Sequence, residues 1–359
     1  MNNPGRTKFF TSAANLSIKL HLPVKWMIKN TVYEQFCGGE TLEETIPVLN
    51  KLEKFSIGAI IDYGVEGKEN EEEFERTKNE LINILQFAKG KKNIPFISCK
   101  VTGLTRFVLL EKINGDVVLS EDEEKEKQKL YERLRQVTQV ATDANVGLFV
   151  DAEESWIQDA IDEIVFILSR EFNKEKVVVF HTAQMYRHDR LAFCSKCLND
   201  AKQHNYVCGI KLVRGAYMEK ERKRAAEKNY ASPIQPDKES TDKDYDAAID
   251  FCLDNLEKIS FCVATHNEKS NLHAATEMDK KYIPHNHPHI SFSQLYGMSD
   301  QITYNLAKAG YNVSKYLPYG PVKDVIPYLI RRANENTSVS GQMSRELLLI
   351  DKEMKRRKV

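Results

Sequence analysis

Eight short runs of apolar and β-branched residues divide the chain from about residue 55 onward, and longer segments rich in Glu and Lys separate them. Continuous apolar runs of this length are typical of strands that are buried on both faces. We therefore predict strands at residues 57–62, 95–100, 147–151, 176–181, 207–213, 260–266, 289–294 and 312–319.

The segments between these runs repeat with a helical period. Helices are predicted at 69–89, 121–145, 155–173, 187–205, 244–258, 268–282, 298–310 and, after the last strand, 322–336. Eight strand–helix units predict an α/β fold, a (βα)8 TIM barrel. An open, doubly wound sheet is the alternative, but no G-x-G-x-x-G motif follows a strand. We place the barrel at 51–345, a helical N-terminal arm at 1–50 and a basic C-terminal tail at 346–359.

Composition narrows the class of function. The chain has 359 residues, with 52 Lys and Arg against 52 Asp and Glu. This balance gives no reason to expect a nucleic acid partner. No apolar stretch is long enough to span a membrane, and the first residues lack the pattern of a signal peptide. Seven scattered cysteines are typical of a reducing compartment, so we expect a cytoplasmic protein without a disulfide scaffold.

Polar residues gather where the predicted strands end. Active sites of (βα)8 barrels lie at the C-terminal ends of the strands, so these residues should share one mouth. A single one is as consistent with a helix N-cap as with catalysis, and only the set favours an active site. The candidates are Asp62, Lys100, Asp151, Glu153, His181, Gln184, Lys211, Arg214, Tyr217, His266, Asn267, Gln294, Tyr316 and Tyr319.

The segment after the last strand carries a polar helix face, because Tyr328, Arg331, Arg332 and Glu335 are spaced i, i+3, i+4 and i+7. Two guanidinium groups can hold a carboxylate, and a glutamate can face an amine, which would suit an amino acid zwitterion. A solvated Arg–Glu pair explains the same spacing, and spacing alone favours that interpretation.

The connection after the fifth strand, residues 214–245, is unusually long. Residues 214–230 predict a helix, and 231–245 predict a proline-containing loop. Arg, Lys and backbone amide groups there could hold a pyrophosphate, and an ordinary surface insertion is the alternative.

Five segments in this order resemble the proline dehydrogenase family, flavoenzymes that also supply the flavin domain of bifunctional proline-utilisation proteins. They are KLVRGAYMEKER at 211–222, PIQPDKESTDKDY at 233–245, VATHN at 263–267, QLYGMSDQ at 294–301 and YLPYGPVKDVIPYLIRRANEN at 316–336. The resemblance covers roughly residues 55–340. It implies a (βα)8 barrel that binds FAD, with the last helix lying over the C-terminal mouth.

The resemblance also implies roles for residues at the mouth. Lys100 and Asp151 take the catalytic positions beside substrate and flavin. The substrate-binding set is Arg331 and Arg332 for the proline carboxylate, with Glu335, Tyr328, Tyr316, Tyr217, Ala216 and Leu295 around them. The cofactor-binding set is Gln184, Lys211, Arg214, Gly215, Thr265, His266 and Asn267, with Lys238, Thr241 and Asp242 near the phosphates and adenosine of FAD.

The implied reaction oxidises L-proline to Δ1-pyrroline-5-carboxylate by hydride transfer from C5 to N5 of FAD, the first step of proline catabolism to glutamate. The substrate amine must lose its proton before or during hydride loss, because an ammonium nitrogen has no lone pair to drive it. The Lys100–Asp151 pair could tune that step. The family passes the electrons to a membrane quinone, which implies peripheral contact with the inner face of a membrane. The basic tail could touch anionic lipid, although composition alone favours a solvated tail.

Other functions stay open. A hydroxyproline dehydrogenase of the same family is disfavoured, because the bulky Tyr316 crowds the space that a ring hydroxyl would need. A Schiff-base lyase or aldolase would use Lys100 or Lys211 as its nucleophile. A metal-dependent hydrolase would draw on Asp151, His181 and His266, but no metal-ligand spacing supports it, and we predict no metal. A binding module without catalysis would leave the strand-end set without a purpose.

Overall fold

The computed structural model describes residues 33–64, 67–326, 328, 329, 331 and 352–357. Its centre is a closed barrel of eight parallel strands that pair in chain order, with the last strand paired to the first. The predicted (βα)8 fold is confirmed. The strands are β1 (Gly58–Tyr63), β2 (Phe96–Cys99), β3 (Gly147–Val150), β4 (Val179–Gln184), β5 (Cys208–Val213), β6 (Ile259–Ala264), β7 (Ile290–Leu295) and β8 (Val313–Tyr319).

Helices surround the barrel, and their apolar faces pack against the outward faces of the strands to form the main core. The helices are α1 (Ile46–Glu53), α2 (Glu71–Ala88), α3 (Phe107–Asn114), α4 (Glu121–Ala144), α5 (Ser155–Phe172), α6 (Arg190–His204), α7 (Met218–Lys228), α8 (Lys238–Asp254), α9 (Glu268–Lys280) and α10 (Asp300–Lys308). The predicted helix within 214–230 is confirmed as α7, whereas the short α3 was not predicted.

Aromatic rings fill the lower part of the barrel interior. The ring centroids of Phe96 and Phe149 are 4.5 Å apart, and those of Phe149 and Phe180 are 5.0 Å apart. Gly209 admits this packing, because a Cβ atom at that position would lie 2.7 Å from the Phe180 ring. Side chains alternate across a strand, so the residue two positions after Phe149, Asp151, also faces the interior, nearer the mouth. The barrel therefore places its polar residues above an apolar floor.

The fourth strand ends later than predicted, at Gln184 rather than at His181. The side-chain oxygen of Asn173 accepts hydrogen bonds, both 2.9 Å, from the first backbone N–H of β4 and from the N–H before it. These hydrogen bonds keep the residues before Val179, which the apolar pattern assigned to the strand, outside β4. His181 is fully buried against Phe166 and Phe193 in the helix layer. Its predicted place at the mouth is therefore wrong.

Helix α8 occupies much of the segment predicted as a loop. It begins at Lys238, because the carboxylate of Asp237 accepts a hydrogen bond of 2.7 Å from the backbone N–H of Ser240 and caps the helix. The predicted loop at 231–245 is therefore correct only up to Asp237. The predicted helix start at residue 244 is wrong.

The chain after β8 is helical at residues 322–326, 328, 329 and 331. Its apolar side chains form a small cluster with residues that precede α1: Val322, Val325, Tyr328 and Leu329 with Tyr33, Phe36 and Cys37. The predicted boundaries at residues 50 and 345 stay predictions, and residues 1–32 lie outside the described part of the chain. Within that part, no helix combines the length and the apolarity needed to cross a bilayer.

Candidate active site

A cluster of charged side chains occupies the upper barrel interior. Lys211 forms an ion pair with Asp151, and the Tyr316 hydroxyl donates a hydrogen bond of 2.8 Å to Oδ2 of Asp151. The Lys100 Nζ atom lies 3.6 Å from Oδ2 of Asp151 and 3.8 Å from Oδ1 of Asp62. The structure thus brings the predicted Lys100, Asp151, Lys211 and Tyr316 together. It adds Asp62, a strand-end candidate to which the sequence assigned no role.

Burial and charge push the two carboxyl groups in opposite directions. Burial alone would raise the pKa of Asp151, but the ammonium groups of Lys211 and Lys100 outweigh it and lower that pKa to about 2. Burial has the largest effect on Asp62 and raises its pKa, although Lys100 opposes it. Burial also raises the pKa of Tyr316 well above its ordinary value. At neutral pH, Asp151 is therefore an anion that a neutral phenol and two lysines surround.

A second polar network joins the ends of β5 and β6 to the start of α8. Arg214 donates a hydrogen bond of 2.8 Å from Nε to Oδ1 of Asp242, and another to the hydroxyl of Thr265. Lys238 pairs with the other oxygen of Asp242, and Asn267 donates to Oδ1 at 3.3 Å. Burial opposes ionisation of Asp242, but the bonds from Lys238 and Arg214 outweigh it and lower its pKa. This carboxylate fixes two cations at the N-terminus of α8.

Gln184 connects the end of β4 to the segment that follows β5. Its Nε2 atom donates a hydrogen bond of 2.7 Å to the backbone oxygen of Glu153, and its Oε1 atom accepts one of 3.3 Å from the N–H of Ala216. Gly215 has a φ of +128°, and a Cβ atom there would lie 2.5 Å from the Tyr186 ring. Only glycine permits this close approach, which fixes the course of the chain from Arg214 to Ala216.

His266 is oriented by a residue that the sequence did not indicate. Its Nδ1 atom lies 2.9 Å from the hydroxyl oxygen of Ser299, which is buried at the start of α10. Ser299 has a left-handed backbone with a φ of +54°, a conformation that serine rarely adopts and that no sequence pattern signals here. Thr241 lies in the first turn of α8, where its hydroxyl donates to the backbone oxygen of Asp237 at 3.2 Å.

The helix after β8 reaches across the mouth. The guanidinium carbon of Arg331 lies 5.8 Å from the centroid of the Tyr217 ring, which follows β5. Tyr328 is buried in the small cluster of this helix, and Leu295 packs against the interior cluster that contains Tyr316. Two predicted members of the substrate-binding set lie outside the described residues: Arg332 and Glu335.

A cleft of about 460 Å³ opens beside α7. Its walls include Thr102 and Glu153, which follow β2 and β3, together with Tyr217 and Lys220 near the start of α7. The cleft is thus bordered by residues that follow β2, β3 and β5, and its volume is sufficient for a small molecule. Among the described residues, no group of three or more His, Cys, Asp or Glu side chains could hold a metal ion.

The donor set fits a flavin dinucleotide. Gln184, Lys211, Arg214 and His266 lie at or beside the ends of three consecutive strands, β4, β5 and β6, and their side chains are of the hydrogen-bonding kind that suits a flat heteroaromatic ring. Arg214 and Lys238 meet at the N-terminus of α8, where cations and the helix dipole favour an anionic phosphate. The residues present therefore suit both halves of FAD.

Comparison with known proteins agrees with this geometry. The family model described as proline dehydrogenase matches residues 45–345. The chain belongs to the proline dehydrogenase family. This family is flavin-dependent. Its members include proline dehydrogenase 1, mitochondrial, from Dictyostelium discoideum, which is 32% identical over 390 residues covering 96% of this chain and 68% of the relative.

Two further relatives show the range of names among proteins similar to this chain. Hydroxyproline dehydrogenase from Xenopus laevis is 33% identical over 93% of this chain and 79% of its own length. The carbapenem antibiotics biosynthesis protein CarD from Pectobacterium carotovorum subsp. carotovorum is 34% identical over 92% of this chain and 85% of its own length.

Solved structures support the fold. Proline utilization A from Bdellovibrio bacteriovorus superposes with a TM-score of 0.77 over 86% of this chain, at 24% sequence identity. The match covers 33% of that longer chain, so this proline dehydrogenase family member spans about a third of it. At this level of identity the likeness concerns the barrel alone.

Proposed function

We propose that this chain is an FAD-dependent proline dehydrogenase that oxidises L-proline to Δ1-pyrroline-5-carboxylate. The observation that carries the proposal is the opposed charge at the mouth: Arg331 lies over the Tyr217 ring, and the ionised Asp151 lies in the barrel interior. A cyclic amino acid zwitterion would meet a cation for its carboxylate and an anion on the side of its amine. Its ring would lie between the aromatic rings of Tyr217 and Tyr316.

FAD, which the residues at the ends of β4, β5 and β6 would hold, would supply the acceptor for the hydride of proline. The chain supplies orientation and charge. Arg331 positions the substrate carboxylate, and the two tyrosine rings exclude water from the reacting carbon. Asp151, held ionised by Lys211 and Lys100, favours the cationic iminium character that develops as hydride leaves C5.

Anaerobic visible spectra of the purified protein test this proposal. We expect oxidised flavin bands that bleach when L-proline is added and that persist with D-proline, in which the carboxylate is misplaced relative to Arg331. A bound flavin that L-proline leaves oxidised would refute the substrate. A protein that FAD cannot reconstitute would refute the cofactor, and borohydride trapping on Lys100 or Lys211 would then test the Schiff-base alternative.

We also propose that a membrane quinone takes the electrons and that the chain works in the cytoplasm, at the inner face of a membrane. Support comes from the exposed basic residues Lys355, Arg356 and Arg357 near the C-terminus, which can attract anionic lipid. Co-sedimentation with anionic and neutral vesicles tests the contact. Binding to anionic vesicles should weaken in an Arg356→Gln/Arg357→Gln variant, and equal binding by both proteins would refute it.

A further inference from the structure

Asp62 is a buried acid that the fold does not need. Its side chain lies at the end of β1 with 1% exposure, and neither carboxylate oxygen has a hydrogen-bond partner among the residues that the structure describes. Buried polar atoms without a partner are rare, and each costs stability that an apolar residue of similar size would not. Such an acid, placed inside a reaction site, indicates a chemical use.

Lys100 provides the ammonium group that pairs with Asp62. Lys100 Nζ lies 3.8 Å from Oδ1 of Asp62 and at a similar distance, 3.6 Å, from Asp151. Asp151 is already held by Lys211 and by the Tyr316 hydroxyl. The ionisable groups that face Asp62 from neighbouring elements are Lys100, Asp151, Lys211, Tyr316, Cys37, Cys99 and Tyr319.

The two carboxyl groups differ in their affinity for a proton. Burial and the charge of Asp151 both raise the pKa of Asp62. Asp151 has its pKa lowered to about 2 despite its burial, because Lys211 and Lys100 stabilise its charged form. A proton that enters this cluster therefore goes to Asp62. Pairs of groups whose pKa values are pushed apart in one site are typical of acid–base chemistry.

We propose that Asp62 is a positioning residue that acts through Lys100 and stores the proton released by the substrate amine. The proposal rests on the proposed function, in which the substrate is proline. The Lys100 ammonium transfers a proton to Oδ1 of Asp62, so that one N–H bond breaks and one O–H bond forms. The neutral Nζ atom then takes a proton from the proline ammonium, which regains the lone pair that drives hydride loss.

The charges balance across these two transfers. The proline nitrogen changes from cation to neutral amine, Asp62 changes from anion to neutral acid, and Lys100 ends as an ammonium, as it began. No electrons leave the cluster, and no further reactant is needed. Asp151 keeps its charge throughout, so the site retains one fixed anion and one group that accepts a proton.

Infrared difference spectroscopy tests where the proton goes. Holoenzyme with its flavin reduced beforehand can bind L-proline but cannot oxidise it. Binding should produce the C=O stretch of a protonated carboxylic acid, which shifts in D2O. The Asp62→Asn variant should lack this band. A band that is absent from the natural protein, or that persists in Asp62→Asn, would overturn the proposal.

The pH dependence of flavin reduction by L-proline provides the second readout. Asparagine cannot store the proton, so Asp62→Asn should reduce flavin about 10²- to 10⁴-fold more slowly at pH 7. The deficit should shrink as the pH approaches the pKa of the proline amine, because the free amine needs no proton acceptor. Asp62→Glu, which keeps a carboxyl group, should restore part of the rate. A deficit that is constant with pH would indicate a structural role and overturn the proposal.

Asp162→Asn is the matched control. Asp162 is also a buried carboxyl group, but it lies in the helix layer, where Arg190 donates to it at 2.8 Å. Its variant should keep both the infrared band and the shape of the pH profile. Failure of the natural protein to reduce its flavin with proline would count against the proposed function. Normal reduction by proline without the infrared band would count against the relay through Asp62 alone.

Discussion

The side chain of Tyr316 makes two separable contributions, which two substitutions can tell apart. Its ring fills the interior beside Leu295 with 9% exposure, and its hydroxyl donates a hydrogen bond of 2.8 Å to Asp151. Tyr316→Phe keeps the ring and removes a hydrogen bond to a charged group, worth about 1.5–3 kcal/mol. If the transition state needs that bond, kcat/KM for proline should fall about 10- to 150-fold.

Tyr316→Ser removes the ring as well and opens the space that a ring hydroxyl on the substrate would occupy. The ratio of kcat/KM for trans-4-hydroxyproline to that for proline should then rise by about 10- to 200-fold, the range for one small group in a pocket. Flavin reduction by each substrate, measured with the natural protein and both variants, gives these ratios. Our steric reasoning is refuted if the ratio stays constant in Tyr316→Ser, or if Tyr316→Phe raises it equally.

Three further variants probe other parts of the site. Arg331→Ala should weaken proline binding by about 2–5 kcal/mol while the Kd for FAD stays within about twofold, and an unchanged KM for proline would remove Arg331 from substrate binding. Gly215→Ala should lower the free energy of unfolding by about 1–3 kcal/mol, because its Cβ atom would lie 2.5 Å from the Tyr186 ring at a φ of +128°. Thermal unfolding measures this loss, and an unchanged Tm would contradict the prediction. Asp151 has a pKa lowered from 3.8 to about 2, so its stabilisation is present above pH 4 and is lost as the pH falls toward 2. The shift in pKa corresponds to about 2 kcal/mol of folding stability. Asp151→Asn should remove that part of the pH dependence of stability, which unfolding followed by circular dichroism at acid pH measures. An acid profile identical to that of the natural protein would refute the prediction.

The barrel could be predicted because its strands are buried on both faces and must therefore be continuously apolar. All eight predicted runs became strands. The end of β4 was misplaced because the Asn173 side chain, rather than the apolar pattern, decides where pairing begins. The start of α8 was missed because its first turn is as polar as a loop. The Asp237 cap and the i, i+4 pair of Lys238 with Asp242 stabilise that turn locally.

The members of the charged cluster could be predicted more readily than their pairing. Lys100, Asp151 and Lys211 were predicted to lie together, because the active sites of (βα)8 barrels lie at the strand ends. The predicted ion pair, however, was between Lys100 and Asp151. In the structure the closer partner of Asp151 is Lys211, and Lys100 stands 3.6 Å away. The choice depends on strand stagger and side-chain rotamers, which no sequence pattern encodes. The contact of Ser299 with His266 escaped prediction for the same reason.

The pairing changes the chemistry of the cluster. If Lys100 alone neutralised Asp151, loss of the proton from Lys100 would leave the buried carboxylate of Asp151 without a compensating charge. This would cost several kcal/mol. Because Lys211 and the Tyr316 hydroxyl already hold Asp151, the charge of Lys100 can change while that anion stays compensated. The second carboxyl group, Asp62, then determines whether such a change is accessible. An apolar floor of Phe149 and Phe180 beneath the cluster strengthens each of these interactions, because charges interact more strongly where water is excluded.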